Sequence, residues 1–195
     1  MIGNCRVREQ DAKAQTCHGR VVAVSTDRGH NFSKRSQNEI MLVAGHGIEG
    51  DVHAGAFVRH RYLARRQPLL ANLRQVHLLP LELLEFLKAV GHDVAPGQLG
   101  ENITTDGLEL ERFPLGTILH LGPVAAVELT GLRTPCVLID RFQARLKRRL
   151  VSSEKDGPPF RCGVLSVVKS GGLVTASDAI HAELPPGPPH APPPL

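Results

Sequence analysis

Aromatic residues and long apolar runs are both scarce in this 195-residue sequence, which has no tryptophan, one tyrosine and six phenylalanines. So few rings disfavour binding of RNA or single-stranded DNA, because such surfaces stack bases on aromatic side chains. No window of about 18 uninterrupted apolar residues is present, and the first 16 residues lack the apolar stretch of a secretory signal. We therefore predict a cytoplasmic protein that does not span a membrane and does not bind nucleic acid.

Cysteines are few and widely separated, at positions 5, 17, 136 and 162. They form no C-x-x-C pair and no short-loop framework of the kind that small secreted domains use. A chain of this length can bury an ordinary core without disulfide bonds. We therefore expect reduced thiols, in keeping with a cytoplasmic location.

Positive charge slightly exceeds negative charge, with a formal net charge of +4. Most of the basic residues are arginines, whose planar guanidinium groups bind phosphate and carboxylate through paired hydrogen bonds. This composition suits a small anionic ligand at least as well as nucleic acid.

The distribution of apolar residues predicts one domain between two tails. Residues 1–18 show no periodicity and are predicted to be a flexible lead. Residues 183–195 are rich in proline and are predicted to be a disordered, solvated tail. Between them, residues 19–182 contain short β-branched runs separated by turn residues, which predicts a mostly β barrel or sandwich with few helices. The runs are 19–25, 39–44, 74–79, 116–122, 124–130 and 163–172.

Two segments have helical spacing. In PLELLEFLKAVG, leucines keep helical spacing between Pro80 and Gly91. In IDRFQARLKRRLV, Asp140 is a candidate N-cap for a helix with a basic face between residues 141 and 149. That face is either solvated or binds an acidic partner. Residues 59–74 are predicted to be a loop or a broken helix, because Pro68 ends any regular helix.

The segment GHGIEGDVHAGAFVRHR, residues 45–61, is rich in glycine and histidine. Its glycines do not match either of the standard nucleotide-binding patterns. Its histidines do not have the spacing of a typical zinc site. Neither standard site is therefore predicted here.

Two further features each allow a structural and a functional interpretation. The segment PGQLGENITTDGLEL, residues 96–110, is either a simple turn–strand–turn or a loop that lines a ligand cleft. Cys136 ends an apolar run and is either a small core residue or a reactive thiolate, which the nearby positive charge of Arg133 would favour. Cys162 also follows an arginine, so local charge alone does not separate these two cysteines.

Five strings occur in order across most of residues 20–180: GIEGDVHAG, RQVHLL, PGQLGENITTDGLEL, PLGTILHLG and VELTGLRTPC. Together they resemble the MOSC domain, the module found at the C-terminus of molybdenum cofactor sulfurases and as stand-alone bacterial proteins. The resemblance implies a mostly β, barrel-like fold with a cleft for an anionic cofactor of the molybdopterin type. The chain has no room for the desulfurase domain of the full sulfurases, so sulfur or electrons would come from another protein in trans.

The resemblance also implies which residues form the site. Cys136 matches the family cysteine that is proposed to carry sulfur or to bind molybdenum, and it is the implied metal ligand. Asp51 and His53 match a G-D-x-H pair and complete the candidate catalytic set, with His53 a candidate proton relay. The segment DRGHNFSK is similar to that of small stand-alone members, where it would contact an anion. The candidate cofactor-binding residues are Arg28 and Lys34 of that segment, Gly100, Glu101 and Asn102 of the G-E-N string, and Arg133.

Three functions follow from these residues as alternatives. In the first, Cys136 ligates molybdenum in a bound cofactor that supports the reduction of N-hydroxylated compounds. In the second, Cys136 carries a persulfide and passes sulfur to a metal–sulfur centre or a cofactor precursor. In the third, the chain is a noncatalytic module that binds an anion or an acidic partner through its basic face.

Overall fold

The computed structural model describes residues 17–59, 61–155 and 157–195, with only the backbone for 61–63. These residues contain eleven strands and three α-helices. The strands are β1 Cys17–Thr26, β2 Arg35–Gln37, β3 Glu39–Val43, β4 Gly47–Ile48, β5 Val76–Pro80, β6 Ile103–Asp106, β7 Ile118–Leu121, β8 Ala125–Leu132, β9 Val164–Ser170, β10 Gly172–Thr175 and β11 Ala179–Glu183. The helices are α1 Arg61–Arg66, α2 Leu81–Ala89 and α3 Leu138–Phe142.

Seven of the strands form a closed barrel. They pair in the order β11-β7-β8-β9-β5-β6-β1, and β1 pairs again with β11 to close the ring. β5 and β6 are the parallel pair, and the other neighbours in the ring are antiparallel. Closure removes most of the open sheet edges. The prediction of a mostly β, barrel-like fold with few helices is therefore confirmed.

The core has two parts. The larger cluster fills the barrel with aliphatic side chains from most of its strands. The smaller cluster lies outside β5, where α2 contributes Leu83, Leu84 and Leu87 and the region around α3 contributes Ile139 and Leu146. β5 is buried on both of its faces because it lies between these two clusters. Cys136 packs against the second cluster, so the packing of α2 and α3 determines where its thiol lies.

Three features differ from the sequence-based expectations. The helix predicted from Asp140 is wrong in its extent: α3 ends at Phe142, Gln143 has an extended backbone, and a separate 3₁₀ turn covers Lys147–Leu150. The Gln143 side chain bonds His92 and the carbonyl of Asp93, and these contacts compete with continuation of the helix. The Asp140 carboxylate instead accepts from the Lys147 amide, at 2.8 Å.

The second difference concerns cysteine. Cys136 and Cys162 are free thiols, as expected. Cys17 is disulfide-bonded, so the expectation of reduced thiols is wrong for this residue. Cys5 and the rest of the predicted lead up to residue 16 lie outside the described residues.

The third difference concerns the last residues of the sequence. Residues 183–195 are predicted to extend into solvent, but several of them pack on the barrel. β11 continues to Glu183, Pro192 is buried, and residues 193–195 hydrogen-bond to the end of β8. Within the described residues, no helix is long and apolar enough to cross a membrane.

Candidate functional site

A cavity of about 270 Å³ opens where the loops after β1 and β4, the loop before β6 and the end of β8 meet. Most of the residues that line it are polar or cationic, and Phe32, Leu138 and Leu165 contribute an apolar side. The remaining lining residues are His30, Asn31, Lys34, His53, Arg59, Asn72, Arg74, His77, Gly100, Asn102, Arg133, Thr134 and Cys136.

Asp51 is the centre of the hydrogen-bond network below this cavity. Its Oδ2 atom lies 2.6 Å from Lys34 Nζ and accepts from Asn102 Nδ2 at 3.0 Å. Its Oδ1 atom accepts from the His53 amide at 2.9 Å and lies 3.3 Å from His53 Nδ1. The Asp51 side chain is fully buried and that of Lys34 is 3% exposed. This carboxylate therefore joins three separate segments of the chain.

The electrostatics of Asp51 follow from these contacts. Burial opposes its negative charge, but hydrogen bonds from His53 and Lys34 outweigh burial and hold the pKa of Asp51 well below its usual range. The carboxylate is therefore ionised at neutral pH. Its contact with His53 Nδ1 favours a proton on that atom, which leaves Nε2 as the acceptor of the neutral ring. Asp51 thus orients His53 and neutralises Lys34.

The G-E-N string divides its side chains between two roles. Asn102 lines the cavity and holds β5 to it, since its Oδ1 accepts from the His77 amide at 3.1 Å. Glu101 is fully buried and accepts from the amides of Gly97 and Leu99, so it braces its own loop. Burial raises the pKa of Glu101, against the pull of these hydrogen bonds. Gly100 has φ +84°, and a Cβ there would lie 2.7 Å from the Phe32 carbonyl oxygen.

Arg133 brings the two free cysteines into one environment. Its Nη1 donates to Cys162 Sγ at 2.8 Å, and its guanidinium interacts electrostatically with both Cys162 and Cys136. Cys162 is buried, and burial raises the pKa of its thiol despite Arg133. Cys136 is partly exposed and lines the cavity. The two cysteines therefore differ in exposure, although the charge of their neighbours in the sequence does not distinguish them.

Three basic residues that line the cavity, Arg59, Arg74 and His77, were not singled out from the sequence. Two of them, Arg74 and His77, have altered pKa values. Burial, and then the nearby charge of Arg133, lower the pKa of Arg74. Burial also lowers the pKa of His77 well below its usual range, so the neutral ring Nε2–H donates to the Cys162 carbonyl at 2.9 Å. Both residues lie in the string RQVHLL, whose strand-like pattern was the one available signal for them.

Residues 50–181 match the MOSC domain. The chain belongs to the MOSC domain family. Its fold is similar to that of the YuaD protein from Bacillus subtilis, with a TM-score of 0.70 and 19% identity over 87% of this chain and 97% of that one. It is also similar to YiiM from Escherichia coli, with a TM-score of 0.58 and 20% identity over 88% and 73% of the two chains. The comparison with curated proteins gives no match.

The structure of this MOSC domain brings most of the predicted site residues together. Cys136, His53, Lys34 and Arg133 line one cavity with Gly100 and Asn102, and Asp51 lies directly behind them. Two predicted cofactor-binding residues lie elsewhere. Glu101 points into its own loop. Arg28 lines a separate open groove of about 660 Å³ beside β2, β3 and β4.

Proteins hold metal ions most often through several donor side chains, and no group of three or more His, Cys, Asp or Glu residues in the described parts of the chain is arranged to hold one. A metal at this cavity would therefore need most of its ligands from a bound organic group. The cavity suits such a group in charge, because Arg59, Arg74 and Arg133 line it and the nearby carboxylate of Asp51 is already paired.

Proposed function

We propose that this MOSC domain protein binds a molybdopterin-type molybdenum cofactor, with Cys136 as the thiolate ligand of molybdenum, and supports the reduction of N-hydroxylated compounds. The observation that carries the proposal is the position of Cys136, a free and partly exposed thiol in a cavity that is lined by three arginines. A soft thiolate beside guanidinium groups suits a soft metal held by an anionic organic ligand. When bound, the cofactor would supply two-electron redox chemistry.

The residues of the chain have distinct roles in this proposal. Arg59, Arg74 and Arg133 would bind the anionic part of the cofactor through charge-assisted hydrogen bonds. His53, oriented by Asp51, would accept or donate a proton at Nε2. Phe32, Leu138 and Leu165 would exclude water from one side of the cavity. Electrons would come from another protein in trans.

The proposal is tested by the molybdenum and pterin content of protein purified from cells that make the cofactor. Wild type is expected to carry close to one molybdenum atom per chain, and Cys136→Ser to lose most of it while its circular dichroism is unchanged. Cys162→Ser is the matched control, because this thiol is buried and does not line the cavity. Equal metal content in wild type and Cys136→Ser would contradict the role of Cys136 as a ligand.

A sulfur-carrier function is the second candidate, and the proximity of Arg133 to a partly exposed thiol favours it. The Cys136 thiolate would attack the outer sulfur of a donor persulfide, form a new S–S bond and release the donor as a thiolate. The positive charge of Arg133 would stabilise the resulting persulfide anion. Little metal in wild type, together with a persulfide located on Cys136 by mass spectrometry, would favour this function.

A further inference from the structure

The edge of β8 changes its partner just before the cavity. β7 pairs with β8 from Leu121↔Ala125 to Ile118↔Glu128, and the last hydrogen bonds on this side join Leu129 to Thr117 and Gly116. β9 pairs with the opposite edge of β8 as far as Leu132↔Val164. β7 therefore does not pair with the last residues of β8 on this edge. Backbone groups at an open edge stay unpaired unless another segment covers them.

Residues 193–195 occupy this edge as a short parallel addition, with Pro194 opposite Leu132. The Leu132 amide donates to the Pro193 carbonyl at 2.8 Å, and the Leu195 amide donates to the Leu132 carbonyl at 2.9 Å. The Thr134 amide then donates to the Leu195 carbonyl at 3.2 Å. Three backbone hydrogen bonds therefore hold these residues to the segment that leads to Cys136.

The sequence of both partners suits this contact. Pro193 and Pro194 have no amide to leave unpaired on their outer side, and their fixed φ favours an extended chain. Gly131 allows the close approach, since a Cβ at that position would lie 2.6 Å from both the Pro193 carbonyl oxygen and Leu195 Cγ. A proline-rich composition, which predicts disorder when read alone, here matches a specific edge of the barrel.

Arg133 lies between Leu132 and Thr134, the two residues that bond to residues 193–195. Its own amide donates to the Gly163 carbonyl of the loop before β9, at 3.1 Å, while both neighbouring residues bond to residues 193–195. The backbone of Arg133 is therefore fixed from two sides. Its guanidinium is fixed by the same geometry, beside Cys162 and in the wall of the cavity that contains Cys136.

We propose that residues 193–195 are positioning residues for the site: by completing the edge of β8, they hold the guanidinium of Arg133 beside Cys136. Without them, Leu132 and Thr134 would lose three hydrogen bonds, and Arg133 would lose one of its two supports. The proposal concerns the environment of the thiol and does not depend on which ligand or reaction the site has.

The test compares the rate of Cys136 alkylation by iodoacetate, which is anionic, with the rate for neutral iodoacetamide, the adduct being located by mass spectrometry. The ratio of the two rates reports the positive charge next to the thiol, which a merely structural change elsewhere would not alter. One variant lacks residues 192–195, and a second, Gly131→Ala, keeps them but displaces them by contact. Both are expected to lower the ratio about threefold or more, towards the value for Arg133→Gln.

Val124→Ala is the matched control, because this exposed side chain lies in the turn that joins β7 to β8. It should leave the ratio unchanged. Adding a synthetic HAPPPL peptide, the sequence of residues 190–195, should restore the ratio in the shortened variant and not in Gly131→Ala. If the shortened chain does not fold, Gly131→Ala decides alone. A wild-type ratio in folded Gly131→Ala would overturn the proposal if fast hydrogen exchange at the amides of Leu132, Thr134 and Leu195 shows that residues 193–195 are released.

Discussion

Replacing Lys34 with methionine should destabilise the protein strongly, because it removes the counter-charge from a fully buried carboxylate. Lys34 Nζ lies 2.6 Å from Asp51 Oδ2, and neither side chain is more than 3% exposed. Removing one partner of a buried ion pair costs about 3–5 kcal/mol. Asn102 and His53 would still donate to Asp51, so we expect the free energy of unfolding to fall by about 3 kcal/mol and the melting temperature by about 6–12 °C.

The pH dependence of this loss gives the prediction its specificity. The pKa of Asp51 is lowered in the folded state, so its contribution to stability is present above the ordinary aspartate pKa of about 3.9 and is lost as the pH falls below it. In Lys34→Met, the pKa of Asp51 should be lowered less. Because the unfolded state is the same in both proteins, the difference in unfolding free energy between wild type and variant should shrink only as the pH falls below the pKa of Asp51 in the folded variant, itself below about 3.9.

Urea unfolding followed by far-UV circular dichroism, between pH 3 and 8, measures both effects. Lys169→Met is the matched control, because Lys169 also lies 2.8 Å from a carboxylate, that of Glu128, but this pair is largely exposed. It should cost less than about 1 kcal/mol. The reasoning would be refuted if Lys34→Met cost no more than Lys169→Met, or if its cost grew as the pH fell from 7 to 3.

Two further predictions concern other parts of the site. Gly100→Ala should cost about 2 kcal/mol or more in urea unfolding, since its Cβ would meet the Phe32 carbonyl oxygen, whereas Gly91→Ala, with a similar φ of +90° and nothing within 4 Å, should cost about 1 kcal/mol. Equal costs would show that the backbone shifts enough to relieve the contact between the new Cβ and the Phe32 carbonyl oxygen at little cost. Because buried His77 resists protonation, stability should fall below about pH 6.5, where His77 of the unfolded chain is protonated, by at most about 1.4 kcal/mol per pH unit, and His77→Gln should remove this slope. An unchanged slope in that variant would mean that other groups cause it.

The barrel was predictable because its strands carry their own signal. The β-branched runs that become β1, β3, β5, β7, β8 and β9 alternate or remain apolar between turn residues, and this pattern survives without tertiary information. β2 was not predicted, because a three-residue strand with exposed side chains has no apolar period. The break after Phe142 was not predictable either, since it depends on the contacts of Gln143 with a distant loop.

Residues that line the cavity were predictable where they belong to a recognisable string, and not where packing alone decides where a side chain points. Cys136, His53 and Asn102 lie in strings that identify the family, and all three line the cavity. Arg28 belongs to a weaker string and lines a different groove. The bracing role of Glu101 depends on a side-chain direction that the sequence pattern does not contain.

The backbone amides of the glycine-rich loop are used within the protein, which leaves anion binding at the cavity to side chains. A run of glycines suggests free amides that could surround an anion, but the amides of residues 51–55 are all bonded within the protein. The amide of His53 in particular donates to the Asp51 carboxylate, so the protein's own anion already occupies the place that a ligand would take. The positive charge of Lys34 is used in the same way. A bound anion would therefore contact side chains, and the guanidinium groups of Arg59, Arg74 and Arg133 line the cavity, so the position of Arg133 beside Cys136 matters for any chemistry at this thiol.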